Sequence, residues 1–301
     1  MADISEMPLL FRLKREWPAF IYLSPMLAFV VILFLYPIVY TVYISLTKNG
    51  PLDYSYVGMA NYVAAFTYEL GLTKQLLINS FFFASVCVLI FVALGISLAT
   101  VLNQNVRGKS VYRTLFLVPW AIPAFISILT WANMYNFQYG IINGLLHVIN
   151  IAPVNWLAYT NTTWAAIFIT NIWLSFPYYT VVFLAQMQSI PADLYESASI
   201  DGASSLYKFV RITIPYIFPT IAFVAILGWT FQFNNFYVIY LINAGHPGYT
   251  TSIFIVNAYQ QANAYYNFSL SAVFSLIDFV AVFAVTFIAI KYTRLTEGWL
   301  K

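Results

Sequence analysis

Residues 76–102 read LLINSFFFASVCVLIFVALGISLATVL, a run without one Asp, Glu, Lys or Arg. Roughly 20 apolar residues in a helix cross the hydrocarbon core of a bilayer. This run is long enough to do so. Five more long apolar runs flank it, at 20–46, 112–134, 163–188, 215–242 and 268–292. The sequence therefore predicts an all-α membrane protein with six transmembrane helices. Composition agrees. The 301 residues are 62% hydrophobic and only 8% charged, with mean hydropathy +0.79. Soluble domains carry about 25% charged residues, so a soluble enzyme, a disordered chain and a nucleic-acid binder are excluded as first readings.

The basic residues orient the spans. Arg12, Lys14 and Arg15 precede the first run. Arg107, Lys109 and Arg113 lie between the second and third, and Lys208 and Arg211 between the fourth and fifth. Lys291, Arg294 and Lys301 close the chain. With six crossings, eleven of the 13 cations fall on one side and only Lys48 and Lys74 on the other. Cations mark the cytoplasmic side, so both termini are expected there, in the cell membrane. Residues 1–18 read as a cytoplasmic N-terminal segment and 19–301 as the transmembrane domain. The first run is too long for the core of a cleaved signal, about 7–15 residues, and is expected to be a retained helix.

Other motifs narrow the chemistry. Cys87 is a lone thiol in an apolar run, and His147 and His246 have no ligand-type neighbours at metal-binding spacing. No metal is expected. Arg107-Gly108-Lys109-Ser110 lacks the first glycine of a phosphate loop, since position 103 is Asn. Asp278 is the one acidic residue within a span, Arg113 and Lys291 lying at span edges; a helix-helix hydrogen bond explains it better than a proton path, which needs a chain of such groups. The outward connections 135–162 and 243–267 contain no charge and are rich in Asn, Tyr and Gly. Such surfaces suit a protein partner, a neutral polar ligand, or packing at the lipid headgroups.

The 189–215 connection reads SIPADLYESASIDGASSLYKFVRITIP. Pro191 suits a helix start, Asp193 the positive helix end, Gly202 a left-handed stop, and Ser204 the cap of a second helix. Leu194 and Ala198 share a helix face, with Tyr195 alongside. The expectation is two short helices about a glycine elbow, shaped to be gripped by another protein.

This loop resembles the EAA loop of permease subunits of binding-protein-dependent ABC importers. Their pattern is Glu-Ala-Ala, three residues, Gly, nine residues, Ile-x-Leu-Pro. Glu196-Ser197-Ala198, Gly202 and Ile212-Thr213-Ile214-Pro215 match it in spacing, with Ser197 and Ile214 as the two departures. The resemblance implies the type I ABC importer permease fold and a coupling loop at 189–214 that seats in an ATPase subunit. Leu194, Tyr195, Glu196, Ala198, Asp201 and Gly202 would form the coupling surface. Implied partners are a second homologous permease, two ATPase subunits that bind the ATP and magnesium, an external sugar-binding protein and membrane lipid, with no nucleic acid. The chain itself would be neither an enzyme nor a cofactor binder.

Residues 171–178 (NIWLSFPY) and 231–236 (FQFNNF) resemble the maltose-type F subunits of the carbohydrate branch. By motif position the implied sugar contacts are Leu174, Ser175, Tyr178, Gly228, Gln232 and Asn235. The maltose-type protein has Gly at the Ser175 position, Ser at the Gly228 position and Asn at the Gln232 position, so the identity of the sugar does not carry over. Read from the residues alone, Gln232 and Asn235 lie three apart on one expected helix face, with Gly228 below them leaving room for a ligand; they could equally bond between helices. The alternatives left open are an amino-acid or peptide ABC permease and a stand-alone carrier or channel.

Overall fold

The computed structural model describes residues 9–53, 55–104 and 108–293. Part of the expected 1–18 segment, and Arg107, Arg294 and Lys301 from the charge asymmetry, lie outside the described residues. Within them the chain is helical, without a strand ladder. Five helices are long and apolar enough to cross a membrane: α1 (Ile21–Ser45), α3 (Leu70–Asn103), α8 (Thr160–Gln188), α10 (Ser205–Phe233) and α13 (Phe268–Thr293). Shorter ones join them: α2 (Ala60–Phe66), α4 (Lys109–Phe116), α5 (Val118–Ala121), α6 (Ala124–Met134), α7 (Ile141–Val148), α9 (Ala192–Ile200), α11 (Phe236–Asn243) and α12 (Phe254–Asn263).

Two expected spans are broken, both for local reasons. The 112–134 run is not one helix but the tail of α4, then α5 and α6. Pro123 forces the residue before it out of the helical region, and Ile122 is extended at φ −102°, ψ 131°. The 11 residues of α6 reach only about 16 Å at 1.5 Å each. The 215–242 run stops at Phe233 and restarts as α11, because Asn235 leaves the helix to cap α11, its side chain accepting from Val238 N–H. Two other prolines act more gently. A π turn at Val31–Leu35 ends two residues before Pro37, and one at Phe209–Thr213 ends two before Pro215. Proline cannot donate to the preceding turn, and the helix widens instead of stopping.

The core is the pair α3 and α8. Lipid tails are as apolar as leucine, so such helices join by close packing rather than by hydrophobic exclusion. Gly95 permits the approach: a Cβ there would lie 2.7 Å from Tyr179 Cβ. Phe83, Cys87, Phe91, Ile167 and Phe183 fill the interface and are fully buried. Phe83 packs beside Trp164, Gly95 beside Tyr179, and Thr100 Oγ1 lies 3.9 Å from Met187 Sδ. Residue numbers rise together along both helices, so α3 and α8 are parallel, and 104–159 carries the chain back from one end of the bundle to the other. Helix α10 runs antiparallel to α8, with Gly228 opposite Tyr179 and Gln232 opposite Asn171. α13 runs antiparallel to α10, joined by Thr230 and Thr286 hydroxyls 3.1 Å apart.

The connection 244–253 is tied down by α3. Asn79 Nδ2 donates to the carbonyls of Thr250 and Ser252, at 2.9 and 2.8 Å, and Ser80 Oγ accepts from Phe254 N–H. Helix α1 differs from the rest. Its lower part packs on α13 near Ser45, while residues 21–39 are exposed throughout.

Candidate functional site

A cleft of about 310 Å³ opens between α5, α8 and α10. Leu174, Ser175, Tyr178, Gly228 and Gln232 line it, which brings together five of the six residues expected at the sugar position. Trp120, Tyr179, Leu227 and Phe231 complete the wall. The break at Pro119 and Pro123 places the Trp120 indole 6.0 Å from the Tyr178 ring. Phe231 is 73% exposed at the mouth. No lining residue carries a charge.

Asn235 does not line the cleft. It stands behind Gln232 and sets its polarity. As the cap of α11 its Oδ1 accepts from Val238 N–H. A backbone N–H is always a donor, so the other end of the Asn235 amide must be its NH₂. That group donates to Gln232 Oε1 at 2.9 Å. Asn171 Nδ2 donates to the same oxygen at 2.7 Å and to Cys87 Sγ at 3.2 Å, and Asn171 Oδ1 accepts from Asn235 at 3.3 Å. With both lone pairs of Oε1 engaged, the Nε2 of Gln232 is left as the donor at the cleft wall. The helix-helix bonding expected as the plain alternative is present, and it orients a donor at the same time.

Gly228 lines the cleft and also makes room for a neighbouring side chain. A Cβ at this position would lie 2.0 Å from the Tyr179 hydroxyl oxygen. The missing side chain leaves room for that hydroxyl, which forms part of the cleft floor. Tyr179 is 3% exposed and stands edge-on to Tyr178 at 5.3 Å.

At the far end of α10, the 189–214 loop has the expected short helix and glycine elbow, but the second helix is not short: it begins at Ser205 and runs on as α10. α9 starts after Pro191, with Asp193 in its first turn. Gly202 stops it at φ +74°, and Ala203 N–H reaches back to the Ala198 carbonyl at 2.9 Å. Ser204 Oγ then accepts from Tyr207 N–H to start the second helix. Tyr195 points inward, its hydroxyl 2.8 Å from Thr213 Oγ1. Lys208 Nζ donates to Ser199 Oγ across the elbow at 3.0 Å. Glu196, Asp201 and Gly202 are exposed, Ala198 is half-buried, and Leu194 and Ile200 stay uncovered, Ile200 at 87%. The two candidate sites sit at opposite ends of α10.

Asp278 is buried, and among the described residues its Oδ1 has no hydrogen-bond partner, so the helix-helix hydrogen bond expected of Asp278 does not form through that oxygen. The residues missed from sequence are Trp120, Tyr179, Leu227, Phe231 and the orienting Asn171. The two prolines around Trp120 were the one available signal, since an aromatic held between helix breaks must face something other than its own helix.

Residues 91–294 match the family described as binding-protein-dependent transport system inner membrane component. The chain is 33% identical over 280 residues to the trehalose/maltose transport system permease protein MalF of Thermococcus litoralis, covering 91% of this chain and 93% of that one. It is 34% identical over 251 residues to the maltodextrin permease MdxF of Bacillus subtilis, covering 76% of this chain and 57% of that longer one. In architecture it matches a bacterial ABC transporter that imports the acidic polysaccharide alginate, at TM-score 0.82 and 22% identity over 95% of this chain and 98% of that one. It also matches a bacterial alginate ABC transporter in complex with a periplasmic protein carrying an alginate pentasaccharide, at TM-score 0.82 and 22% identity over 95% of this chain and 97% of that one. These likenesses fit a chain with several membrane-crossing helices, which is a permease and not an enzyme. It belongs to the binding-protein-dependent transport system inner membrane components.

Proposed function

We propose that this chain is one transmembrane subunit of an ATP-driven sugar importer, in which it forms part of the translocation path. The cleft carries the reading. It is uncharged, walled by Trp120, Tyr178 and Phe231, and edged by Ser175 and the Gln232 amide. A sugar offers hydroxyls to amides and hydroxyls, and C–H patches to aromatic rings. A free amino acid needs fixed charges, and the cleft has none. The sugar-transport names of the relatives support the same class of solute.

The parallel arrangement of α3 and α8 supports six crossings. The return between them includes the broken α4–α6 segment, which completes the set with the five long helices. Six crossings place both termini and the 189–214 loop in the cytoplasm, with eleven of 13 cations on that side. There Leu194, Tyr195, Glu196, Ala198, Asp201 and Gly202 form the surface that docks a separate ATPase. ATP and magnesium bind to that ATPase and not to this chain. A second related permease completes the path, two ATPase copies drive it, and an external binding protein delivers the sugar. Closure of the ATPases pushes α9, and α10 carries the motion to the cleft.

Reconstituted vesicles test this. Sugar uptake should need this chain, its second permease, the ATPase, the binding protein and ATP together. Uptake by this chain alone would identify a stand-alone carrier instead.

A further inference from the structure

Helix α7 (Ile141–Val148) turns one side to the protein and leaves an apolar side uncovered. Ile141, Leu145 and Val148 recur at the spacing of a single helix face, and Ile149 and Ile151 follow them. Each of the five is between 48% and 76% exposed. The other side is clamped. Asn143 is buried, its Nδ2 donates to the Phe137 and Val154 carbonyls, and its Oδ1 accepts from Val154 N–H and Trp156 Nε1–H, all at 3.0–3.2 Å. Both donors and both lone pairs of that amide are used, so α7 cannot roll its aliphatic side inward without breaking four hydrogen bonds. Ile142 packs on the core beside it.

The neighbours of α7 set its height. Tyr135, at the end of α6, donates to the Ala166 carbonyl at 3.0 Å, and the Trp156 ring stands 5.6 Å from the Tyr135 ring. Ala166 lies near the start of α8, and the 189–214 loop follows the end of α8. Helix α7 is therefore at the rim of the bundle away from that loop. The exposed apolar surface of the span leads to it, through Phe125, Ile126 and Leu129 of α6 and then Phe137 and Tyr139. Residue types decide what covers the face. Protein contacts draw most of their energy from Trp, Tyr and Arg, and Leu and Val are under-represented there; the α7 face holds only Ile, Leu and Val. The exposed tyrosines, Tyr139 and Tyr159, flank the segment instead, as aromatic residues do at a bilayer surface. Residues 135–162 carry no charge, so attachment by this face needs no anionic headgroup. We propose that α7 is an interfacial anchor, its Ile141, Leu145 and Val148 face sunk into the leaflet away from the 189–214 loop. Through Asn143 it fixes the return between α6 and α8 to the bilayer surface. Such an anchor needs only a chain of the inner membrane, which the family is, and holds for any solute.

Spin labels test this. Cys87 is fully buried, so a thiol added at the surface can be labelled alone, with partner subunits free of reactive thiols. Leu145→Cys, Val148→Cys and His147→Cys are each labelled in the complete transporter, in phosphatidylcholine vesicles. Collisions are measured with oxygen, which concentrates in lipid, and with a nickel chelate, which stays in water. His147 is exposed on the opposite side of the helix from Leu145. The labels at Leu145 and Val148 should give an oxygen-to-nickel ratio several-fold above that at His147, at a depth of about 5–10 Å in the headgroup boundary. Neither the external binding protein nor added phosphatidylglycerol should shift it. Nickel access at Leu145 and Val148 equal to that at His147 overturns the anchor. Protection from both reagents also overturns it and marks a contact with another subunit. Nickel access that disappears only when the binding protein is added overturns it too, and marks the face as that protein's dock.

Discussion

Asn235 Nδ2 donates to Gln232 Oε1 at 2.9 Å across the break between α10 and α11. The bond joins a backbone requirement to the chemistry of the cleft. The first turn of α11 needs a cap, the cap fixes the orientation of the Asn235 amide, and that orientation turns the Gln232 NH₂ toward the cleft. Asn235 is thus a positioning residue.

The substitution Asn235→Asp separates these roles. A carboxylate still accepts from Val238 N–H and keeps the cap, but it has no hydrogen to give Gln232 Oε1. The new carboxylate faces Gln232 Oε1 and Asn171 Oδ1, so the Gln232 and Asn171 amides should turn over together, and the cleft should lose its donor. One hydrogen bond contributes about 0.5–1.5 kcal/mol. Apparent sugar affinity should therefore drop up to about tenfold, with the melting temperature little changed. Unchanged affinity would show that the relay sets nothing.

Gly228→Ala puts a methyl group where the Tyr179 hydroxyl sits, 2.0 Å from its oxygen. Overpacking of this kind costs about 1–3 kcal/mol. Adding Tyr179→Phe removes the clashing oxygen and leaves the nearest ring carbon 3.2 Å away. Thermal melting should show the single variant destabilised and the double variant partly restored. A Gly228→Ala protein that melts like the parent would place the hydroxyl elsewhere.

Gly202 is open on every side, with nothing within 4 Å of an added Cβ, yet its φ is +74°. Gly202→Ala should therefore cost only the left-handed penalty, roughly 1–2 kcal/mol, and act on the loop alone. Gly202→Asn, which tolerates this backbone region, should be milder. Both proteins should still insert, while sugar-stimulated ATP hydrolysis drops more in the alanine variant. Equal activity of all three would mean that the elbow transmits no motion.

The long spans and the glycine elbow were legible because each rests on local chemistry: uncharged length for α3, α8 and α13, and backbone sign for Gly202. The breaks were harder to read. Apolar content continues unchanged through Ile122-Pro123, and Asn234-Asn235 interrupts its run with no charge, so composition ran two elements together in each case. The cleft emerged from motif position, but its polarity did not, since that depends on Asn171, sixty-one residues away from Gln232 in the chain. Gly228 was legible as a position on the cleft, but no local signal placed Tyr179 opposite it.

The most direct measurement is ATP-dependent uptake of radiolabelled sugar by vesicles carrying the complete transporter with Gln232→Leu. The account predicts a fall of about tenfold or more, with the ATPase still bound to the 189–214 loop in a pull-down. Uptake at the parental rate, with the parental preference among sugars, would contradict it.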